Sequence, residues 1–419
     1  MLARTPHAET PARPAGTAPG WARLAGPGML ISVGYMDPGN WATDIEAGSR
    51  FGYALLFVVV LSGAAALFLQ IRAARLGIVT GRDLAQLSRA RNPGWAGDAL
   101  WLSAELAIVA CDIAEVLGAA LALKLLFHLP LWAGVLLTGL DTLLVLALQG
   151  QGIRRLEAIV LALVAVIALA FMIELAFFPP DLAAAARGLW PGNAPMGDAR
   201  ALLLAVGIVG ATVMPHNLYL HSAIVQTRPA ADDPRATVRA ATIDIARALG
   251  LATLVNAAIL IVAAAAFHGL RGPVTEIDQA YRLLIPLAGG AAATVFGVAL
   301  LASGQSSTIT GTLAGLVIWE GFRGRTMAPW KRRAITRALA LLPALAGVLW
   351  LGDGSVGRLL VWTQVALSLQ LPFAMGPMLR FTGDRRLMGA LADGRGTRAV
   401  GWALFAAIAA ANLWLITSL

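Results

Sequence analysis

Cysteine is almost missing from this chain: Cys111 stands alone among 419 residues, which excludes a disulfide framework and any CxxC metal site. Charge is scarce as well. Only 13% of the residues are Asp, Glu, Lys or Arg, against 58% hydrophobic and a mean hydropathy of +0.74, too little polar surface for a water-soluble protein of this length. No connection is long enough to bury a soluble core of its own. The sequence also lacks a GxxxxGK[ST] phosphate loop, an HExxH pair and a GxSxG elbow, so the P-loop, zinc-protease and α/β-hydrolase chemistries have no residues to act through. No nucleophile and base can be paired, and the chain is not read as an enzyme.

What is present is apolar sequence in long runs. A run of about 18 or more residues with few charges crosses a hydrocarbon core as a helix. Eleven such spans are expected, near 28–45, 53–76, 97–126, 131–149, 157–178, 200–226, 243–268, 290–319, 333–351, 356–380 and 398–417. Short loops rich in Arg and Lys stay on the cytoplasmic side. With the N-terminus inside, 25 of the 32 basic residues fall on that side. The expected topology is therefore N-terminus cytoplasmic and C-terminus outside. The net charge of +9 is then a consequence of topology and does not point to nucleic acid. Residues 1–26, rich in Ala, Pro and Gly, read as a disordered cytoplasmic tail. Residues 27–419 read as one membrane domain.

Two of the spans contain helix-breaking sequence at matching places: MDPGN (Met36 to Asn40) in the first and VMPHN (Val213 to Asn217) in the sixth. Pro38 and Pro215 are 177 residues apart, with an odd number of expected spans from one break to the next. That spacing gives an inverted repeat of five plus five helices, about 27–178 and 200–380, with an extra helix at about 398–417. Proline removes an amide donor and clashes with the preceding turn, and Gly39 lowers the cost of unwinding. The breaks at Pro38, Gly39, Pro215 and Asn217 free backbone carbonyls at mid-membrane, which cost several kcal/mol unless something binds them.

Asp37 is an ionisable group near the centre of a span, where charge is expensive and usually functional. Asn40 adds an amide oxygen three residues on. Met214 occupies the equivalent place in the second break and offers a polarizable sulfur, which favours a borderline-soft divalent ion over Mg²⁺ or Ca²⁺. His216 is the side chain best placed to titrate near neutral pH. Asp112 and Glu115 share one face of the third span, with Glu105 on nearly the same stripe. Asp44 and Glu46, just beyond the first break, are either lining for an outer entrance or a solvated helix end.

At these residues the sequence resembles the natural resistance-associated macrophage protein (Nramp) family, particularly its bacterial proton-dependent manganese transporters. The resemblance runs from about Pro27 onward, through GYMDPGNWATDIEAGSRFGY (Gly34 to Tyr53), GRDLAQ (Gly81 to Gln86), ACDIAEVLGAALAL (Ala110 to Leu123) and GIVGATVMPHNLYLHSAIVQTR (Gly207 to Arg228). It implies an all-α fold of the leucine-transporter type with broken helices 1 and 6. It implies metal ligation by Asp37, Asn40, Met214 and the Ala211 carbonyl, joined in some conformations by Gly34 and Gln364. It also implies a proton route through His216, Asp112, Glu115 and Arg332 or Arg333, whose alternative is an ordinary basic anchor at a helix end. The cargo would be Mn²⁺ and Fe²⁺, with Co²⁺, Zn²⁺ and Cd²⁺ in the same class, moved with H⁺ by alternating access. No bound cofactor and no obligate protein partner is expected. A metal receptor and an amino-acid or sodium symporter on the same architecture remain the alternatives.

Overall fold

The computed structural model describes residues 26–140, 153–193, 195, 197–227 and 233–418. Most of the expected N-terminal tail and much of the expected fourth span therefore lie outside the described residues. Among the described residues there is no β-strand. The helices in chain order are α1 (Pro27–Ser32), α2 (Pro38–Phe51), α3 (Leu56–Thr80), α4 (Leu84–Arg91), α5 (Trp95–Phe127), α6 (Leu131–Thr138), α7 (Ile153–Phe177), α8 (Leu182–Gly188), α9 (Ala199–Val213), α10 (Pro215–Ile224), α11 (Pro234–Phe267), α12 (Ile277–Ala288), α13 (Gly290–Arg323), α14 (Pro329–Leu351), α15 (Val356–Gly383), α16 (Arg385–Met388) and α17 (Arg395–Ser418).

Nine helical stretches among the described residues are long and apolar enough to cross a membrane, which makes this a multi-span membrane protein. The first and sixth expected spans do not run through as single helices. α1 passes into a 3₁₀ turn over Val33–Met36 before α2 begins at Pro38, and α9 stops at Val213 before α10 begins at Pro215. Each new helix starts with proline in its first turn, where the missing N–H costs nothing. α5 and α13 pack along each other, as do α11 with α2 and α9 with α15. This encloses α1, α2, α9 and α10 in the middle of the bundle. Trp41, fully buried, locks α2 to its neighbours by edge-on contacts with Phe171 of α7 (4.8 Å) and Phe296 of α13 (5.1 Å). The exposed Leu, Val and Trp side chains of α14 and α17, such as Leu342, Trp350, Leu413 and Trp414, are what a lipid-facing surface requires.

Candidate metal site

The geometry of each break follows from its proline. In an α-helix the carbonyl of residue i accepts from the N–H of residue i+4. Positions 38 and 215 have no N–H, so the carbonyls of Gly34 and Ala211 lose their helical donors. The neighbouring carbonyls of the first break are cared for: Asn256 Nδ2 donates to the Tyr35 oxygen (2.8 Å) and Ser303 Oγ to the Met36 oxygen (2.5 Å). The unwound turn is thus braced from α11 and α13. Tyr35 is held again through its hydroxyl, which accepts from Gln70 Nε2 (2.7 Å), and Gln70 Oε1 in turn meets His221 Nδ1 (2.8 Å).

Asp37 has an extended backbone and caps α2, one carboxylate oxygen accepting from the Asn40 N–H at 2.8 Å. Its other oxygen has no partner, and neither does Asn40 Oδ1. The two breaks abut. An ideal Cβ on Gly34 would lie 2.5 Å from Asn217 Nδ2 and 3.2 Å from Met214 Sδ, and one on Gly39 would collide with the Gln364 amide. Glycine at 34 and 39 is what lets the second break and α15 come this close. Gln364 Oε1 is likewise buried without a partner. Met214 holds φ at 33°, in the left-handed half of backbone space that a side chain rarely adopts. Asp37, Asn40, Ala211, Met214 and Gln364 are all buried.

The sequence-predicted metal residues are therefore brought together: Asp37 and Asn40 on one break, Met214 and Ala211 on the other, with Gly34 between them and Gln364 alongside. Unpartnered oxygens on a carboxylate and two amides, beside a thioether and a freed carbonyl, are costly in a closed interior and leave an evident demand for a cation. Among the described residues no three His, Cys, Asp or Glu side chains converge. The groups that do converge are oxygens of a carboxylate and amides and one thioether.

A second chain of polar groups leads away from the breaks. His216 Nε2 is 3.7 Å from Cys111 Sγ, which is 3.6 Å from Glu115 Oε1. Glu115 Oε2 accepts from Thr308 Oγ1 (3.0 Å) and lies 3.9 Å from Arg333 Nη2. Arg333 and Arg337 both donate to Asp112 Oδ1, at 2.8 and 3.2 Å, and Arg332 donates to Glu105 Oε2 at 2.5 Å. Arg332 and Arg333 are buried and are not helix-end anchors in water. Each is paired with an acid of α5, Arg332 with Glu105 and Arg333 with Asp112. Three members escaped the sequence reading: Cys111, Thr308 and Arg337. Only Arg337 left a signal, four residues after Arg333 and hence on the same helix face. Asp44 and Glu46 are buried too, which rules out a solvated helix end. Glu46 is spent in ion pairs with Arg200, at 2.7 and 2.6 Å, and Arg50.

The family model described as "Natural resistance-associated macrophage protein-like" matches residues 28–418. The chain belongs to the Nramp family. It is 58% identical over 400 residues to a Pseudomonas aeruginosa protein named divalent metal cation transporter MntH 1, covering 94% of this chain and 91% of that one. A relative of the same function name from Ralstonia nicotianae is 58% identical over 399 residues, covering 94% and 90%. Among solved structures, an Eremococcus coleocola manganese transporter superposes on this Nramp chain with a TM-score of 0.88 at 38% identity, over 96% of this chain and 89% of the other. The fold extends further: MhsT, solved with L-phenylalanine, aligns with a TM-score of 0.63 at 17% identity over 94% of this chain and 98% of its own. The relatives named here are transporters, not enzymes.

Proposed function

We propose that this Nramp chain imports divalent transition-metal ions, Mn²⁺ first and Fe²⁺ and similar ions with it, together with protons. The observation that carries this reading is the set of unpartnered oxygens on Asp37, Asn40 and Gln364 gathered with Met214 where the two helix breaks meet. Asp37 supplies the charge, Asn40 and the Ala211 carbonyl supply neutral oxygens, and Met214 supplies the sulfur that discriminates against Mg²⁺ and Ca²⁺. Gly34 and Gln364 complete the shell as the surrounding helices shift. The names of the relatives, divalent metal cation transporter and manganese transporter, support the same substrate class. The site is closed to solvent on every side, consistent with alternating access around a central position.

Protons leave by the second chain, from His216 through Cys111 and Glu115 to the Asp112, Arg333 and Arg337 cluster and on to Glu105 and Arg332. Arg333 and Arg337 on Asp112 and Arg332 on Glu105 line the route with positive charge, which repels a metal cation. In a bacterial inner membrane, with the N-terminus cytoplasmic and the C-terminus outside, the metal enters from outside and both ions move inward. The test is Mn²⁺ uptake into proteoliposomes with a pH dye inside, for the parent and for Met214→Ala, each challenged with excess Mg²⁺ and Ca²⁺. Uptake with luminal acidification, resistant to Mg²⁺ only in the parent, is expected. Uptake without a proton signal ends the coupling claim; no uptake by correctly inserted protein ends the transport claim.

A further inference from the structure

The segment between α11 and α12 reaches across the ends of other helices. Val274 is buried and its N–H donates to Ser49 Oγ (2.7 Å), while His268 Nδ1 lies 3.1 Å from the Ser49 carbonyl oxygen. Residues 268–274 are thereby fastened to the end of α2. Two residues later Glu276 takes the N-cap position of α12 without capping it. Its Oε2 instead accepts from the Gly357 N–H, at 2.5 Å, in the first turn of α15. α15 has no side-chain cap of its own, because Ser355, its N-cap residue, donates its hydroxyl back to the Gly352 carbonyl at 2.7 Å. Glu276 is a cap supplied from another element, a carboxylate set against the positive end of a 28-residue helix. An added Cβ on Gly357 would collide with the Thr275 carbonyl, so glycine at 357 is a condition of the contact.

Gln364 lies two helical turns below Gly357, about 10 Å along α15, and rests against Gly39 at the first break. We propose that Glu276 is a positioning residue for transport: the strap 268–276 is an outer latch whose cap on α15 fixes Gln364 over the metal site, and whose release accompanies opening to the outside. The inference rests on the metal-transport reading and its topology, and it adds the element that closes the outer end.

Charge bears on the latch from several elements. Burial raises the Glu276 carboxyl to about 7, against the Gly357 and Arg358 amides and the Arg358 guanidinium, with Glu46 of α2 adding to the rise. Glu46 is paired with Arg200 of α9 and Arg50 of α2, and around a cavity that Glu276 lines Lys124 of α5 pairs with Asp278 and Asp353 while Arg282 pairs with Asp278. An acid whose pKa is raised in the latched state binds a proton on latching. The latch therefore tightens as outer pH falls through about 7 and loosens above it.

Hydrogen–deuterium exchange on the full chain in nanodiscs tests this, followed on the peptide containing Gly357 and Arg358, with Mn²⁺ uptake measured on the same variants. Glu276→Ala should speed exchange of that turn about fivefold or more and shift the KM for external Mn²⁺. Glu276→Gln keeps an acceptor oxygen without charge, so it should stay protected, and its protection factor, corrected for the intrinsic exchange rate at each pH, should no longer vary with pH. Gly357→Ala should act like Glu276→Ala while leaving the carboxylate in place. Unchanged exchange in Glu276→Ala overturns the latch, and so does faster exchange with KM and kcat both at parent values. A parent protein that moves no Mn²⁺ sinks the transport reading instead, and is told apart because the exchange comparison does not depend on it.

Discussion

Met214 sets two structural demands against each other, and replacing it by Gly and by Ala separates them. The side chain is fully buried, so trimming it to Ala costs about 2–5 kcal/mol in lost contacts and cavity. At an ordinary helical position Gly would cost a further 0.5–1 kcal/mol or so. At φ 33° the order should reverse, because a residue with a Cβ is strained there by about 1–3 kcal/mol and glycine is not. The net expectation is that Met214→Gly unfolds at a higher temperature than Met214→Ala by the equivalent of about 1 kcal/mol, with both below the parent. Metal binding should not follow that order. Both variants lack the sulfur, so both should lose Mn²⁺ affinity and Mg²⁺ discrimination to the same degree. Thermal unfolding without metal, and Mn²⁺ binding with Mg²⁺ as competitor, measure the two effects separately. An Ala variant as stable as the Gly variant would refute the strain at 214; Mg²⁺ discrimination retained in both would refute the role of the sulfur.

Ser303→Ala leaves the Met36 carbonyl buried without its donor, and a loss of about 1–3 kcal/mol in stability is expected, read as a lower unfolding temperature; Asn256→Ala should do the same through Tyr35. Arg333→Ala removes one of the two guanidinium donors to the buried Asp112 carboxylate and should destabilise by about 1–3 kcal/mol, whereas removing Arg337 as well leaves that carboxylate unpaired and should cost about 3–5 kcal/mol, much of it recovered when Asp112→Ala is added; no recovery on adding Asp112→Ala would count against the pairing. Arg200→Ala should also destabilise, by leaving the buried Glu46 only its longer contact with Arg50, whereas Glu46→Gln in the same background should restore much of the stability. Cys111→Ala interrupts the contact between His216 and Glu115, so Mn²⁺ binding should persist while the acidification that accompanies uptake falls; unaltered acidification would remove Cys111 from the route.

Much of the candidate site could be read before any coordinates. An acid inside an apolar run, two Pro-x-Asn breaks an odd number of spans apart and a Met in the second break are local features, and each has one physical explanation at mid-membrane. The ligand set came from that pattern and from family resemblance. Arg332 and Arg333 show the limit of such reading. Near the end of a span a basic pair anchors topology as readily as it serves a site, and the two cases differ only in what the side chains face. Cys111 shows it again: a lone cysteine in an apolar helix carries no sign that its sulfur sits between a histidine on α10 and a glutamate one turn along its own helix. Glu46 could be an entrance lining or a solvated helix end until Arg200, 154 residues away, is seen to grip it in the interior.

Composition and periodicity by themselves determined that the chain lives in a bilayer, that its spans are helical and where two of them break, because all three follow from the free energy of placing backbone and side-chain groups in hydrocarbon. The tertiary structure decided which freed carbonyls are satisfied and which stay open. Asn256 and Ser303 satisfy the Tyr35 and Met36 carbonyls, while among the side chains beside them one Asp37 carboxylate oxygen and the amide oxygens of Asn40 and Gln364 remain without partners. It also decided that α15 is capped by Glu276 from another element. A hydrogen bond between residues far apart in sequence leaves no periodic mark along the chain, and only the packing that brings the partners within reach specifies it.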